Sequence, residues 1–138
     1  MLSIYKEVKA VNIPNSITII PEYAFKGLTY ITKLYMHDNV TYIGNYALPP
    51  NPTEIELSQS LEKIERGYST FTYLIVPQGV KSINQKSYDV YYLGTPEDGL
   101  KILGGSNTHV IYYYSSLEPT DTKYTYWHYD ENNKPVLW

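Results

Sequence analysis

A phrase of thirteen residues is written twice in this chain, and its repetition restricts the fold more than any other property of the sequence. Residues 13 to 25 begin Ile13-Pro14-Asn15-Ser16-Ile17 and end Tyr23-Ala24-Phe25. Residues 36 to 48 place Met36 on Ile13, Asp38 on Asn15, Val40 on Ile17, Ile43 on Ile20, and Tyr46-Ala47-Leu48 on Tyr23-Ala24-Phe25, a period of 23 residues. Units of this length are too small to bury an apolar face alone, so they bury it against the next unit in a solenoid. The repeat therefore predicts a stack of coils and argues against a conventional enzyme fold.

Two weaker copies follow. Leu57, Leu61 and Ile64, then Val76, Val80 and Ile83, keep the same order of an apolar residue, a polar turn, an apolar residue four positions on and another three after that. The equivalent positions Met36, Leu57 and Val76 are separated by 21 and then 19 residues. The Tyr-Ala-Phe segment has no clear counterpart after Ile64 or Ile83. The inward rungs are kept because each buried aliphatic side chain contributes roughly 1.5 to 3 kcal/mol. Connection length can vary at little entropic cost.

Ahead of each landmark lies a short alternating run, and period-two alternation followed by turn residues reads as a β-strand. These runs are Val8, Val11 and Ile13; Ile31, Leu34 and Met36; Ile55 and Leu57; and Phe71, Leu74 and Val76. Pro14-Asn15-Ser16, His37-Asp38-Asn39, Ser58-Gln59-Ser60 and Pro77-Gln78-Gly79 supply the turns. A fifth strand is expected over 89–94 with Tyr91 and Leu93 as its rungs, and a sixth over 110–114. Between them, Thr95 as N-cap, Pro96 at the first helical position and Glu97-Asp98 in the first turn predict a short helix near 95–103. Gly104-Gly105 would end it. Residues 124–129 and 135–138 read as a hairpin, with Trp127 and Trp138 covering the last rung. One domain is expected over 1–138: four repeats over 8–88, a divergent segment with the helix over 89–114, and a cap hairpin over 115–138.

The repeats resemble the BspA-type leucine-rich repeats, through Ile13-Pro14-Asn15-Ser16-Ile17 with Tyr23-Ala24-Phe25, and through Val40 with Ile43-Gly44-Asn45-Tyr46-Ala47. The tail from Tyr91 to Trp138 is similar to the C-terminal ending of many such proteins. Units three and four depart from the consensus. The resemblance implies a β-rich solenoid, a short right-handed superhelix with one parallel sheet of about six strands. It also implies binding, since such domains serve as adhesion or protein-recognition modules on bacterial and protozoan surfaces and in phage genomes. It brings no catalytic residues.

The residues themselves give chemistry little purchase. Cysteine is absent, and His37, His109 and His128 form no spaced ligand set or nucleophile-base pair. No cofactor, metal site or catalytic group is expected. The net charge is -3 and the cations are scattered, which disfavours nucleic acid. No run approaches the ~20 apolar residues of a membrane span. The first eight residues hold no apolar signal core, so a cytoplasmic location is expected, or an extracellular one if a signal was removed. A protein partner is the expected ligand, with an intracellular or phage-encoded inhibitor as the leading form. A surface adhesin-like or glycan-binding module and a structural component of a larger assembly are the alternatives.

Tyrosine marks the surface where that partner would bind. The chain has 17 Tyr against two Phe and two Trp, and Tyr joins a rigid contact surface to a polar tip. With Ile13, Met36, Leu57, Val76, Leu93 and Tyr113 inward, the outward columns run from Ala10, Asn12, Lys33, Glu54 and Glu56 to aromatic and aliphatic residues. The expected partner-binding set is Tyr35, Tyr73, Ile75, Val90, Tyr92, Val110, Tyr112 and Tyr114. Three readings of this patch stay open: a partner site, a self-association surface, and a face covered by the tail. A homodimer joined there or at the N-terminal edge strand is a further expectation.

Overall fold

Two strands come from every copy of the phrase, one before its turn and one after. The computed structural model describes residues 9–67, 69, 73–84, 89–102 and 110–138. Its four coils contribute β1 (Ala10–Asn12) and β2 (Ile19–Ile20), β3 (Lys33–Tyr35) and β4 (Tyr42–Ile43), β5 (Glu54–Glu56) and β6 (Lys63–Ile64), and β7 (Tyr73–Val76) and β8 (Ser82–Ile83). The turn between the two strands is held by the same type of bond in three coils. Ile17 N–H donates to Pro14 C=O at 3.0 Å, Leu61 N–H to Ser58 C=O at 3.1 Å, and Val80 N–H to Pro77 C=O at 3.3 Å.

The strands after the turns stack into one parallel ladder, β2-β4-β6-β8, with Ile20, Ile43, Ile64 and Ile83 in register and buried. They were not expected as strands, because two residues are too few to show alternation. Glu65 reinforces the outside of this ladder. It accepts from Tyr42 Oη at 3.2 Å and Asn84 Nδ2 at 2.9 Å, and pairs with Lys63 Nζ at 2.6 Å. Gly44 is needed here for close approach, since a Cβ would lie 2.6 Å from the Glu22 backbone nitrogen.

The strands before the turns do not form the single six-stranded sheet expected. They divide into β1-β3-β5 and a second sheet containing β7, and among the described residues no hydrogen-bonded pairing joins β5 to β7. The spacing from Leu57 to Val76 is the shortest of the stack. The second sheet continues through β9 (Asp89–Tyr92), β10 (Ile111–Tyr114), β11 (Tyr126–Tyr129) and β12 (Pro135–Leu137), in the order β7-β9-β10-β11-β12. All its pairs are parallel except the terminal β11-β12 hairpin, which forms as expected.

The helix α1 spans Pro96–Ile102, and Thr95 Oγ1 accepts from the Asp98 N–H at 3.3 Å, as an N-cap should. Its expected stop at Gly104-Gly105 lies outside the described residues. Gly99 lets α1 sit directly on Tyr113, because a Cβ would meet the Tyr113 ring at 2.5 Å. The core runs unbroken under both sheets, from Ile13, Leu34 and Met36 through Leu57, Leu74 and Val76 to Val90, Tyr92 and Tyr113. It is aliphatic in the first coils and aromatic at the last.

Candidate protein-binding surface

The outward face is built by strand parity, so the register of each strand decides which side chains it shows. Leu34, Leu74 and Val76 are buried, which turns Tyr35, Tyr73 and Ile75 outward as expected. In β9 the expectation fails. Val76 pairs with Tyr92, and Tyr92 with Tyr113, which sends Val90 and Tyr92 into the core with no exposed surface. Asp89 and Tyr91 take their outward places, and Leu93 is half-buried at the strand's end instead of serving as the inward rung. The pair Tyr91-Tyr92 fits either register by composition. The signal that separates them is Gly94, on the same side as Tyr92, where a Cβ would fall 2.4 Å from the Tyr92 ring.

Of the remaining expected residues, Val110 is exposed just before β10, Tyr112 is half-buried, and Tyr114 is exposed. Tyr73, Tyr91 and Tyr112 form a row across three strands, with ring centroids 5.3 and 4.9 Å apart. Tyr112 Oη reaches the Asp89 carboxylate at 3.5 Å. Tyr35 lies farther along the face, beside Glu54, which in turn pairs with Lys33 at 3.7 Å.

The tail folds back over part of this row. Trp127 pairs with Tyr114 and so stands on the outward side, yet it has no exposed surface. Its ring packs edge-on to Tyr91, Tyr114 and Tyr129 at 5.4, 5.2 and 4.9 Å, and its Nε1 donates to the Tyr92 carbonyl at 3.1 Å. Trp127 is thus the centre of a second, aromatic core on the outward face, part of which the tail covers. Trp138 is half exposed, donates through Nε1 to Ser115 C=O at 2.9 Å and stacks on His128 at 3.9 Å. Trp127 and Tyr129 were missed as face residues because no repeat phrase predicts where a cap hairpin turns.

What stays open is a rim of tyrosines and a cleft. Tyr73, Tyr114 and Tyr129 keep 39, 38 and 38% of their surface. A cleft of about 540 Å³ lies where β5 and β7 part, floored by Glu54, Ile55 and Glu56 and flanked by Tyr73, Ile75 and Tyr129. The hairpin turn contributes Asn133 and Lys134 to its edge. Burial raises the Tyr91 phenol pKa, with Tyr112 and Asp89 adding to it. Burial likewise raises that of Tyr129, with Tyr114 and the Glu56 carboxylate adding. These rings stay neutral and present uncharged contact area. His37 accepts the Asn39 N–H at Nδ1, 3.0 Å away, a turn role. Among the described residues, no group of three His, Asp or Glu gathers to hold a metal.

Stacked coils repeating every 19 to 23 residues, each with an inward Ile rung, point to one repeat family, and comparison decides it. The model of the BspA type leucine rich repeat region, in six copies, matches residues 4–91. The chain belongs to this family. This BspA-type chain is also similar in structure to a leucine rich cell surface protein from Faecalibacterium prausnitzii A2-165, with a TM-score of 0.55. The two are 20% identical, and the match covers 70% of this chain but 35% of the other, so the likeness is one of fold. No curated protein matches the chain. The BspA-type repeat suggests a protein-binding or adhesin-like module, in a family of recognition modules that are typically non-enzymatic.

Proposed function

We propose that this BspA-type solenoid is a non-enzymatic module that binds a protein target through the outward face of its C-terminal half. The observation that carries the reading is the tyrosine rim of Tyr73, Tyr114 and Tyr129, in which the buried Trp127 packs against Tyr114 and Tyr129 and reaches Tyr73 only through Tyr91. Tyr and Trp give large contact area for little lost side-chain entropy, and a pre-organised face binds more tightly than a flexible one. In its finer form, the module inhibits its target by steric occupation. Affinity capture from the native host tests this, comparing the wild type with a variant carrying Tyr73→Ser and Tyr114→Ser. One stoichiometric protein retained by the wild type and lost by the variant is expected, with its activity falling to zero at one-to-one titration. Equal capture by both proteins sinks the reading.

An adhesin-like role is the second reading, favoured by the cell surface description of the similar structure. Labelling intact host cells with an antibody to this chain separates the two. Surface labelling supports the adhesin role, and labelling only after permeabilisation overturns it.

A further inference from the structure

The split between β5 and β7 leaves two strand edges facing each other. Their Cα atoms lie mostly more than 8 Å apart, whereas paired strands stand about 4.8 Å apart. Main-chain direction can be assigned on both sides. Glu54 N–H donates to Thr32 C=O at 3.1 Å, and Glu56 C=O accepts from Met36 N–H at 3.0 Å, so these peptide groups turn toward β3. Val76 C=O accepts from Leu93 N–H at 3.0 Å, which turns Val76 toward β9. By alternation, Ile55 on one side and Tyr73 and Ile75 on the other aim N–H and C=O groups into the opening. No pairing between β5 and β7 uses them. Backbone groups of this kind are strong, obligatory hydrogen-bonding groups.

The shape of the cleft agrees with a strand-like occupant. It follows the chain from Pro52 through β5 to Leu57. At about 3.3 Å per residue that is a groove of roughly 17 Å, the length of five or six extended residues. Its charge narrows the chemistry further. Glu54 has Lys33 beside it, while Glu56 has no cationic partner among the described residues and faces the Tyr129 side of the cleft. Lys134 at the rim disfavours a second cation.

We propose that the split takes an extended peptide segment of a partner protein as an inserted strand, parallel to β5 and β7, with one lysine or arginine side chain set against Glu56 and the Tyr129 ring. This rests on the protein-binding reading and names the partner's chemistry. Main-chain bonds supply the affinity in such strand addition and the side-chain pocket supplies selectivity, with a cation over a Tyr face adding to it.

The probe is a fluorescein-labelled heptapeptide of alternating valine and threonine with lysine at its centre, titrated against the full chain by fluorescence anisotropy. Saturable binding is expected, at least tenfold weaker when the central residue is glutamate, and abolished when alternate backbone amides are N-methylated. Glu56→Gln, at an exposed position, should remove the preference for lysine over glutamate. Amide exchange gives an independent check: Ile55 and Ile75 should exchange faster than Leu34 and Val76, and slow when the lysine peptide is added. Equal binding of the N-methylated peptide overturns the proposal, as does Ile55 or Ile75 exchanging as slowly as Leu34 without peptide. If host-partner capture still depends on Tyr73 and Tyr114 while the peptides fail, only the strand insertion is lost.

Discussion

The first coils and the last solve the same packing problem with different side chains. In the first three, Leu34, Met36 and Leu57 fill the inside while the outside carries the Lys33–Glu54 ion pair and Glu56, all exposed. In the last, Tyr92 and Tyr113 fill the inside, and the outside carries enough aromatic surface that the hairpin returns to cover it. Among the described residues, the polar outer face meets the hairpin only at the cleft beside β5. An aromatic one acquires its own core around Trp127, and what the cover leaves over is a rim of part-exposed tyrosines.

If the C-terminal half depends on that second core, Trp127→Ala should be the most damaging single change. Removal of a fully buried Trp costs about 3 to 5 kcal/mol, read as a large drop in Tm with loss of the near-ultraviolet aromatic signal. An unchanged Tm would erase the distinction between the halves. Ile43→Ala, in the continuous ladder, should cost about 2 to 4 kcal/mol. Tyr73→Ser with Tyr114→Ser, which removes ring contacts to Tyr91, Trp127 and Tyr129 from part-exposed positions, should together cost about 1 to 3 kcal/mol, less than Trp127→Ala alone. Ile55→Ala, half-buried beside the split, should cost roughly 1 kcal/mol in the same denaturant titration. Equal losses at Ile43 and Ile55 would mean that the split is as well packed as the ladder.

The smallest effect is electrostatic. The Lys63 ammonium, then the Asn84 amide, hold the Glu65 carboxyl below its ordinary value of 4.5. A carboxyl depressed in the folded state releases its proton more readily there than in the unfolded chain. Its stabilisation is therefore complete above the ordinary value and lost as pH falls through the folded one. Melting curves recorded from pH 6 downward should decline less steeply below about pH 4.5 in Glu65→Gln. A parallel decline in both proteins would remove Glu65 from the account.

Legibility in the sequence followed the length of the pattern. Four copies of one grammar made the coils, their turns and their rungs plain, and the capped helix at Thr95-Pro96 announced itself by local chemistry. Val90 and Tyr92 went astray because β9 lies beyond the repeat, where adjacent tyrosines satisfy both faces and only Gly94 breaks the tie. The break between β5 and β7 left no composition signal, only the shrinking interval from Leu57 to Val76. The return of Trp127 over Tyr91 is a tertiary event between residues 36 positions apart, and nothing local encodes it.

The split also bears on cooperativity. In a stacked protein each unit is held by its own stability and by its coupling to its neighbours, and a weak coupling lets the stack melt in parts. Among the described residues, the only hydrogen-bonded strand pairing between the third and fourth coils is that of β6 with β8. That ladder and the continuous core from Leu57 to Leu74 tie the aliphatic and aromatic halves, and this junction is where a loss of cooperativity would begin.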